Sequence, residues 1–519
     1  MRAIKPQGYY AREFNSHLKL SSQSTKDKSK VLLVTEKPSK KISDRMRKVK
    51  SKDTLIERTM ERLLKQLYLK YEKQPRMIGH PDFILRMDKV AIFCDSSFWH
   101  GRASQKQVFK RNRLFWEKKI QENRRRDRKN NRILRGLGWK VLRFWDDDIL
   151  KRPRIVARRI LRAADPPIGK RLAAVEIFCG AGGMAHGFYL EGIRVVAGFD
   201  VDATCKYAYE KNNLAKFFER NVSELNAAEI KQLYPQGSIR VLAGCAPCQP
   251  FSPYARSKKK AKSDKWKLLY DFSRMVDRVH PDIVTMENVP SLISYNGGRV
   301  FSDFVNHLKN EGYHLWYDIV DCAKYGIPQY RRRLVLLASR LGDISLIPRT
   351  HSPKELLTVR DAIDYLEPVD AGASSKKDPL HRSRNLTARN MLRIMATPEG
   401  GNWSSWPKDL ILKCHKKNSG RSFKNVYGRM SWKEPGPTIT TEFIGLGNGR
   451  FGHPVQDRAI SLREAALLQT FPFYYDFINP KAKFSMKRIA IHIGNAVPVR
   501  LGQIIAKSIK QHIEAVNLA

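Results

Sequence analysis

Two short stretches of this chain carry side chains that could make or break bonds. In AGCAPCQPFS, residues 243–252, Cys248 lies between Pro247 and Pro250. A thiolate is a strong nucleophile, and the prolines stiffen the loop that holds it. PDIVTMENV places Glu287 directly after an apolar run, and QYRRR places Arg331 and Arg333 just before another. A carboxylic acid at the end of a neighbouring strand can protonate a ring nitrogen while the thiolate attacks the ring. Singly, a structural cysteine, a capping glutamate and a solvated arginine run are the commoner explanations. Together and in this order they point to one site.

A glycine-rich turn precedes that thiol. VEIFCGAGGMAHGF, residues 175–188, runs from strand character into a glycine turn and then a helix. Such a turn lets a ligand approach the backbone at a helix N-terminus. GFDVD follows, with Asp200 at a strand's end, where a carboxylate can accept the two hydroxyls of a ribose. The pair suggests a nucleoside-containing cofactor. The lack of a full GxGxxG at dinucleotide spacing points away from NAD.

The second stretch is FCDSSFWHG, residues 93–101. With GHPDFIL upstream, it puts Asp82 and Asp95 at the ends of two strands, His100 nearby, and Glu57 on a preceding helix. Acids converging from neighbouring strands suit a hard Mg2+ ion, and an imidazole suits moving a proton to or from water.

The elements that must position these residues follow from periodicity. Within about 41–72, Leu55, Ile56, Met60, Leu63, Leu64 and Leu67 recur at helical spacing, behind an Asp53 or Thr54 cap. DFILRM and KVAIFCD have strand character, and a basic amphipathic helix closed by Gly136 and Gly138 leads to a further strand, WKVLRFW. That is a small α/β unit. ADPPIGKRL, 164–172, has linker composition. Beyond it, AAVEIFCG, RVVAGFDVD, IRVLAGC, PDIVTMENV and RRLVLLAS alternate with helical segments, the pattern of a mostly parallel, doubly wound sheet. Residues 346–455 turn rich in Pro, Gly, Trp and Lys, as an inserted smaller domain would.

Composition fixes the partner class. Lys and Arg number 97 against 50 Asp and Glu, a formal charge of +47, so a polyanion, most simply nucleic acid, is expected. No apolar run is expected to span a membrane, and the N-terminus lacks a signal-peptide core. Seven cysteines suit a reducing compartment, and the single CxxC, Cys245 and Cys248, has no second pair at zinc spacing.

From 172 to 519, the motifs IFCGAGG, GFDVD, GCAPCQPFS, MENV, PQYRRR, LREAALLQTFP (462–472) and IGNAVP (493–498) stand in family order, and this span resembles the cytosine-5 DNA methyltransferases. The resemblance implies a Rossmann-like, S-adenosylmethionine-dependent fold with a target-recognition domain at about 346–455. It also implies that the Cys248 thiolate attacks C6 of a flipped-out cytosine, that Glu287 protonates N3, and that C5 takes the methyl group. Arg331 and Arg333 would hold the base. Phe178, Gly180, Gly182, Gly183, Asp200, Asn221, Pro247 and Asn495 would line the cofactor site, and SPYARSKKKAKSDKW falls where the family has a loop that closes over DNA. Asn221 departs from the family's acid. Its carbonyl can still meet an adenine amino group, with weaker cofactor binding.

Residues 41–150 resemble the very-short-patch repair endonucleases, of PD-(D/E)xK type, through RMRKVKSKDTLIE, GHPDF, FCDSSFWHG, FWEKKIQENRRRDR and LGWKVLRFWD. The resemblance makes Asp82 the main metal ligand with Asp95, His100 and Glu57 around it. It places Phe98, Trp99 and Trp116 where the family wedges aromatics into the base stack. Ser97 and Asp147 stand where that family has zinc cysteines, so no structural zinc is expected.

The expected organisation is a basic arm (1–40), an endonuclease-like α/β domain (41–163), a linker (164–171) and a methyltransferase domain (172–519). Three whole-chain readings stay open: methyltransferase with T:G mismatch nickase, methyltransferase with restriction of unmethylated DNA, or methyltransferase with a non-catalytic DNA-binding module. The expected setting is a monomer on duplex DNA, away from membranes, in the nucleoid-associated cytoplasm of a prokaryote.

Overall fold

The computed structural model describes residues 53–67, 69, 71–86, 88–97, 113–164, 172–247 and 266–518. Cys248, Phe98, Trp99, His100 and the expected N-terminal arm and linker core lie outside them.

The first unit is built on a four-stranded sheet, in order β1 (Glu72–Lys73), β2 (Phe83–Leu85), β3 (Val90–Asp95) and β4 (Lys140–Trp145). The first three run antiparallel and β3 pairs parallel with β4. A parallel pair needs a crossover, which α2 (Arg113–Gly136) supplies. Helix α1 (Leu55–Gln66) begins at Thr54, whose hydroxyl accepts from Glu57 N–H. Its stripe of Met60, Leu63 and Leu64 is buried, together with Leu67 just beyond its end, while Leu55 stays exposed. The helix starts behind the expected Thr54 cap and ends at Gln66, short of residue 72. Apolar periodicity ends at Leu67, and the chain turns so that Tyr71 packs edge-on against Phe83 and Glu72 and Lys73 join the sheet. Two short helices, α3 (Asp146–Lys151) and α4 (Pro153–Ala164), complete the unit and pack on α1.

The second unit is the doubly wound sheet that alternation predicts. Its strands are β5 (Leu172–Ile177), β6 (Arg194–Asp200), β7 (Lys216–Glu219), β8 (Ile239–Gly244), β9 (Ile283–Asn288), β10 (His314–Asp321) and β11 (Arg332–Ser339). They lie in the order β10-β11-β9-β8-β5-β6-β7. Strands β5 to β9 are mutually parallel, and β11 inserts antiparallel between β9 and β10. All six residues of β5 are buried, as a strand covered on both faces requires. Ala174 faces the layer of α5 (Gly183–Leu190). Ala173 and Val175 face the layer of α8 (Lys267–Val279) and α9 (Arg299–Asn310). Helices α6 (Lys206–Asn213) and α7 (Ala227–Leu233) bridge the right-hand strands. The chain leaves β5 for β6 on one side and later crosses to β8 on the other. The strand order thus reverses between β5 and β8, and doubly wound sheets bind ligands at the carboxyl ends of the strands at such a point.

Residues 346–455 form few regular elements, among them α10 (Val359–Ile363) and α11 (Ala388–Met395). Buried charge organises this region: Arg429 donates to the carbonyls of Ile394, Thr397, His453 and Gln456. Fully buried Arg458 forms two 2.7 Å bonds to Glu464 on α12 (Leu462–Leu468). The chain closes with α13 (Met486–Asn495) and α14 (Val499–Leu518). Against the expectation of no span-like segment, Met486–Val516 is long and apolar enough to cross a membrane by composition. Most of it is buried, with α14 packed on α5, which explains its apolarity as core.

Candidate active site

Four functional segments end at the carboxyl edge of the large sheet. After β5 the backbone takes positive φ at Phe178 (60°), Gly180 (50°) and Gly182 (86°). The two glycines differ. A Cβ on Gly182 would lie 2.2 Å from Asn213 Nδ2 and 2.9 Å from Tyr209 Cδ2, so packing excludes it. A Cβ on Gly180 would meet nothing within 4 Å, which leaves an open face where a ligand can approach the backbone. Gly183 begins α5, pressed against Val497 O.

Asp200, at the end of β6, accepts the N–H groups of Gly180 and Asp202, each at 2.9 Å. Burial raises its pKa and those donors pull it back. The carboxylate is thereby fixed against the glycine turn, where ribose hydroxyls would be accepted. Asn221 is half-buried and caps a short turn, accepting from Ser223 N–H at 3.2 Å. Asn495 is the exposed last residue of α13. The open face at Gly180 and the aligned acid fit a nucleoside cofactor.

On the other side, β8 leads to Pro247, the last described residue before Cys248. Glu287, buried in β9, has its Oε1 2.9 Å from Arg333 Nε. Its neighbour Asn288 donates from Nδ2 to Ala246 O at 3.1 Å, tying the acid's strand to the base of the thiol loop. Sequence reasoning did not single out Asn288, although it stands within the MENV motif. Arg331 is turned inward: its guanidinium donates to Ile439 O at 3.1 Å and Ala496 O at 3.5 Å. It braces the sheet edge against the C-terminal segments, whereas Arg333 is the guanidinium beside the acid.

In the first unit, Asp82 accepts Cys94 N–H at 2.7 Å. Burial pushes its pKa up to about 6, with Glu57 and Asp95 adding to the rise and the Cys94 bond opposing it. Asp95 is gripped by Arg143, whose Nε and Nη2 reach its two oxygens at 2.7 and 2.6 Å. Glu57 accepts from Asp53 N–H, Thr54 Oγ1 and Gln74 Nε2, so it works as the reciprocal cap of α1. The expected Mg2+ pair of Asp82 and Asp95 is therefore not a set of open ligands. Among the described residues, the potential ligand atoms of Asp82, Asp95 and Glu57 do not gather within 4.8 Å of one another. A guanidinium already neutralises Asp95, because a buried carboxylate in so basic a chain finds a cation close by. Trp116 lies half-buried on α2.

Comparison with known proteins follows this division. Residues 172–511 match the C-5 cytosine-specific DNA methylases, and residues 36–106 match the DNA mismatch endonuclease Vsr. The chain is similar to the Type II methylase M.HgiDII of Herpetosiphon aurantiacus, with 50% identity over 66% of this chain and 97% of the relative. It is also similar to the Type II methyltransferase M.Eco47II of Escherichia coli, with 30% identity over 66% and 80%. A solved DNA modification methyltransferase encoded within an E. coli prophage shares the fold at TM-score 0.50 and 20% identity, covering 66% of this chain and 99% of that one.

Proposed function

Residues 172–511 place the chain in the C-5 cytosine-specific DNA methylase family, and from that premise we propose that it methylates C5 of cytosine within one duplex DNA sequence. The observation that carries the assignment of roles is the buried Glu287, paired with Arg333 and linked through Asn288 to the root of the Cys248 loop. Cys248 Sγ bonds to C6 of a flipped cytosine, and electrons move through the ring to N3, where Glu287 delivers a proton. Arg333 holds the Glu287 carboxyl in place. Loss of the C5 proton then expels the thiolate. S-adenosylmethionine, when bound, supplies the electrophilic methyl group. Phe178, Gly180, Gly182, Gly183 and Asp200 form its cradle, with Asn221, Pro247 and Asn495 at the rim. The 346–455 region selects the target sequence.

For the N-terminal half, the kinship with Vsr supports a linked DNA-cutting activity, either nicking at T:G mismatches or restricting unmethylated DNA. Asp82 would carry it. A second reading, a non-catalytic DNA-binding module, is favoured by the Arg143 grip on Asp95. Asp95 could hold a divalent cation only after the Arg143 grip opens.

One experiment separates these. A bacterial host without the cognate methylation is transformed with wild type, Cys248→Ala, and Cys248→Ala with Asp82→Ala. Restriction predicts toxicity on loss of the thiol and rescue on loss of Asp82. Tolerance of Cys248→Ala removes restriction, and a nicking assay on T:G duplexes then decides between repair and a binding module. Cys248→Ala protein that still methylates DNA would overturn the assigned chemistry.

A further inference from the structure

The segment Phe473–Asp476 has one face on the nuclease-like half and the other on the glycine-rich turn. On the first face, Gln66 at the end of α1 accepts Phe473 N–H at 3.3 Å and donates to Tyr365 Oη at 2.9 Å. Arg62, one turn earlier, lies 4.0 Å over the Tyr365 ring. Val156, Ala157 and Ile160 of α4 lie in one buried cluster with Phe471, Tyr475 and Phe477.

On the second face, Tyr475 Oη donates to Ala181 O, between Gly180 and Gly182. Tyr474 Oη meets His186 Nε2 of α5 at 3.2 Å. Asp476 N–H donates to Asn212 Oδ1 at 3.1 Å, and Asn212 Nδ2 returns a bond to Asp476 O at 2.9 Å. Apolar packing is continuous as well. Met60, Leu63 and Leu64 of α1 belong to the same buried cluster as Phe471, Tyr475 and Ala181.

The turn needs such bracing. Phe178, Gly180 and Gly182 all hold positive φ. Sparsely populated backbone conformations persist only where surrounding structure over-determines them. The brace here runs through Tyr475 to α1 and α4, elements of the other half.

We propose that Gln66, in the nuclease-like half, is a positioning residue for methyl transfer: through Phe473–Asp476 it holds the glycine-rich turn in its cofactor-binding shape. The inference rests on the reading of that turn as the cofactor site. Linkage is reciprocal, so cofactor binding must also tighten the docking of α1 and α4.

The test uses the full chain and S-adenosylhomocysteine as probe. In wild type, probe binding is expected to slow amide hydrogen exchange in α1 and α4 as well as in residues 178–183. Gln66→Ala is expected to weaken probe binding about five-fold or more. It should raise KM for the methyl donor while leaving kcat at saturation within about two-fold, a split that general loss of fold would not give. Gln66→Glu, which keeps an acceptor for Phe473 N–H, should retain part of the affinity. Exchange that slows in 178–183 but not in α1 or α4, with unchanged probe affinity in Gln66→Ala, overturns the proposal. Wild type that neither binds the probe nor gains protection at 178–183 would instead overturn the cofactor-site reading. Should Gln66→Ala fail to fold, the wild-type exchange pattern alone decides.

Discussion

Arg333 Nε stands 2.9 Å from Glu287 Oε1, across the antiparallel pairing of β11 and β9. The register opposes Asn288 to Leu334 and Glu287 to Val335, so the guanidinium reaches the acid from the end of its own strand. Both side chains are largely out of water. If Glu287 is the proton donor proposed above, Glu287→Gln is expected to cut kcat about 100-fold or more. Arg333→Ala should also slow turnover, yet add little in the Glu287→Gln background, because it acts through that carboxyl. Single-turnover methylation of a duplex oligonucleotide measures both, and additive losses would refute the shared role.

The two glycines of the turn should fail in different ways. Gly182→Ala drives a methyl into Asn213 and Tyr209 and should destabilise the fold by about 1–3 kcal/mol or more. Gly180→Ala meets no neighbour and should cost about 1 kcal/mol from its backbone angle, while weakening cofactor binding by blocking the open face. Melting curves beside cofactor titrations check the contrast. Equal effects of the two substitutions on binding would speak against the open face.

Glu464 sets an acid limit. Burial alone would raise its pKa, but the paired Arg458 guanidinium drags it down to about 2, against an ordinary 4.5. A depressed carboxylate stabilises the fold above its unfolded pKa, and that contribution disappears as pH falls through the folded value. Glu464→Gln leaves Arg458 buried without its counter-charge, at a cost of about 3–5 kcal/mol near neutrality. Unfolding midpoints of the two proteins should converge as pH drops from 4.5 toward 2. A gap constant with pH would contradict this.

Glu176 acts in the opposite sense. It is buried in β5, and burial pushes its pKa up to about 8, with the Tyr209 hydroxyl partly opposing. The group is neutral in the folded chain and ionised once unfolded above 4.5. Its contribution is therefore most favourable below 4.5 and declines as pH rises to about 8. Glu176→Gln keeps an acceptor for Tyr209 and removes the decline. The variant should gain about 1–3 kcal/mol over wild type at neutral pH and little at mildly acidic pH. Denaturant titrations at both pH values test this.

Much of the site was legible in the residues. Asp200 and Glu287 end parallel strands because each follows an apolar run of the right length, and a doubly wound sheet sends all such ends to one edge. The glycine turn announced itself by composition. Less visible were residues that act through backbone atoms. Asn288 binds a carbonyl 42 positions away, and no local pattern marks that bond.

Local order along the chain, set by hydrophobic periodicity and turn chemistry, determined the strands, the crossovers and the edge that gathers the reactive groups. Only the tertiary structure decided which glycine is packed and which is open. It also turned Arg331 inward while placing Arg333 beside Glu287, and it gave Asp95 to Arg143. The physical reason is that periodicity depends on neighbours a few positions apart, whereas a buried charge or a close backbone approach is resolved by whatever distant group the packing brings within about 3 Å.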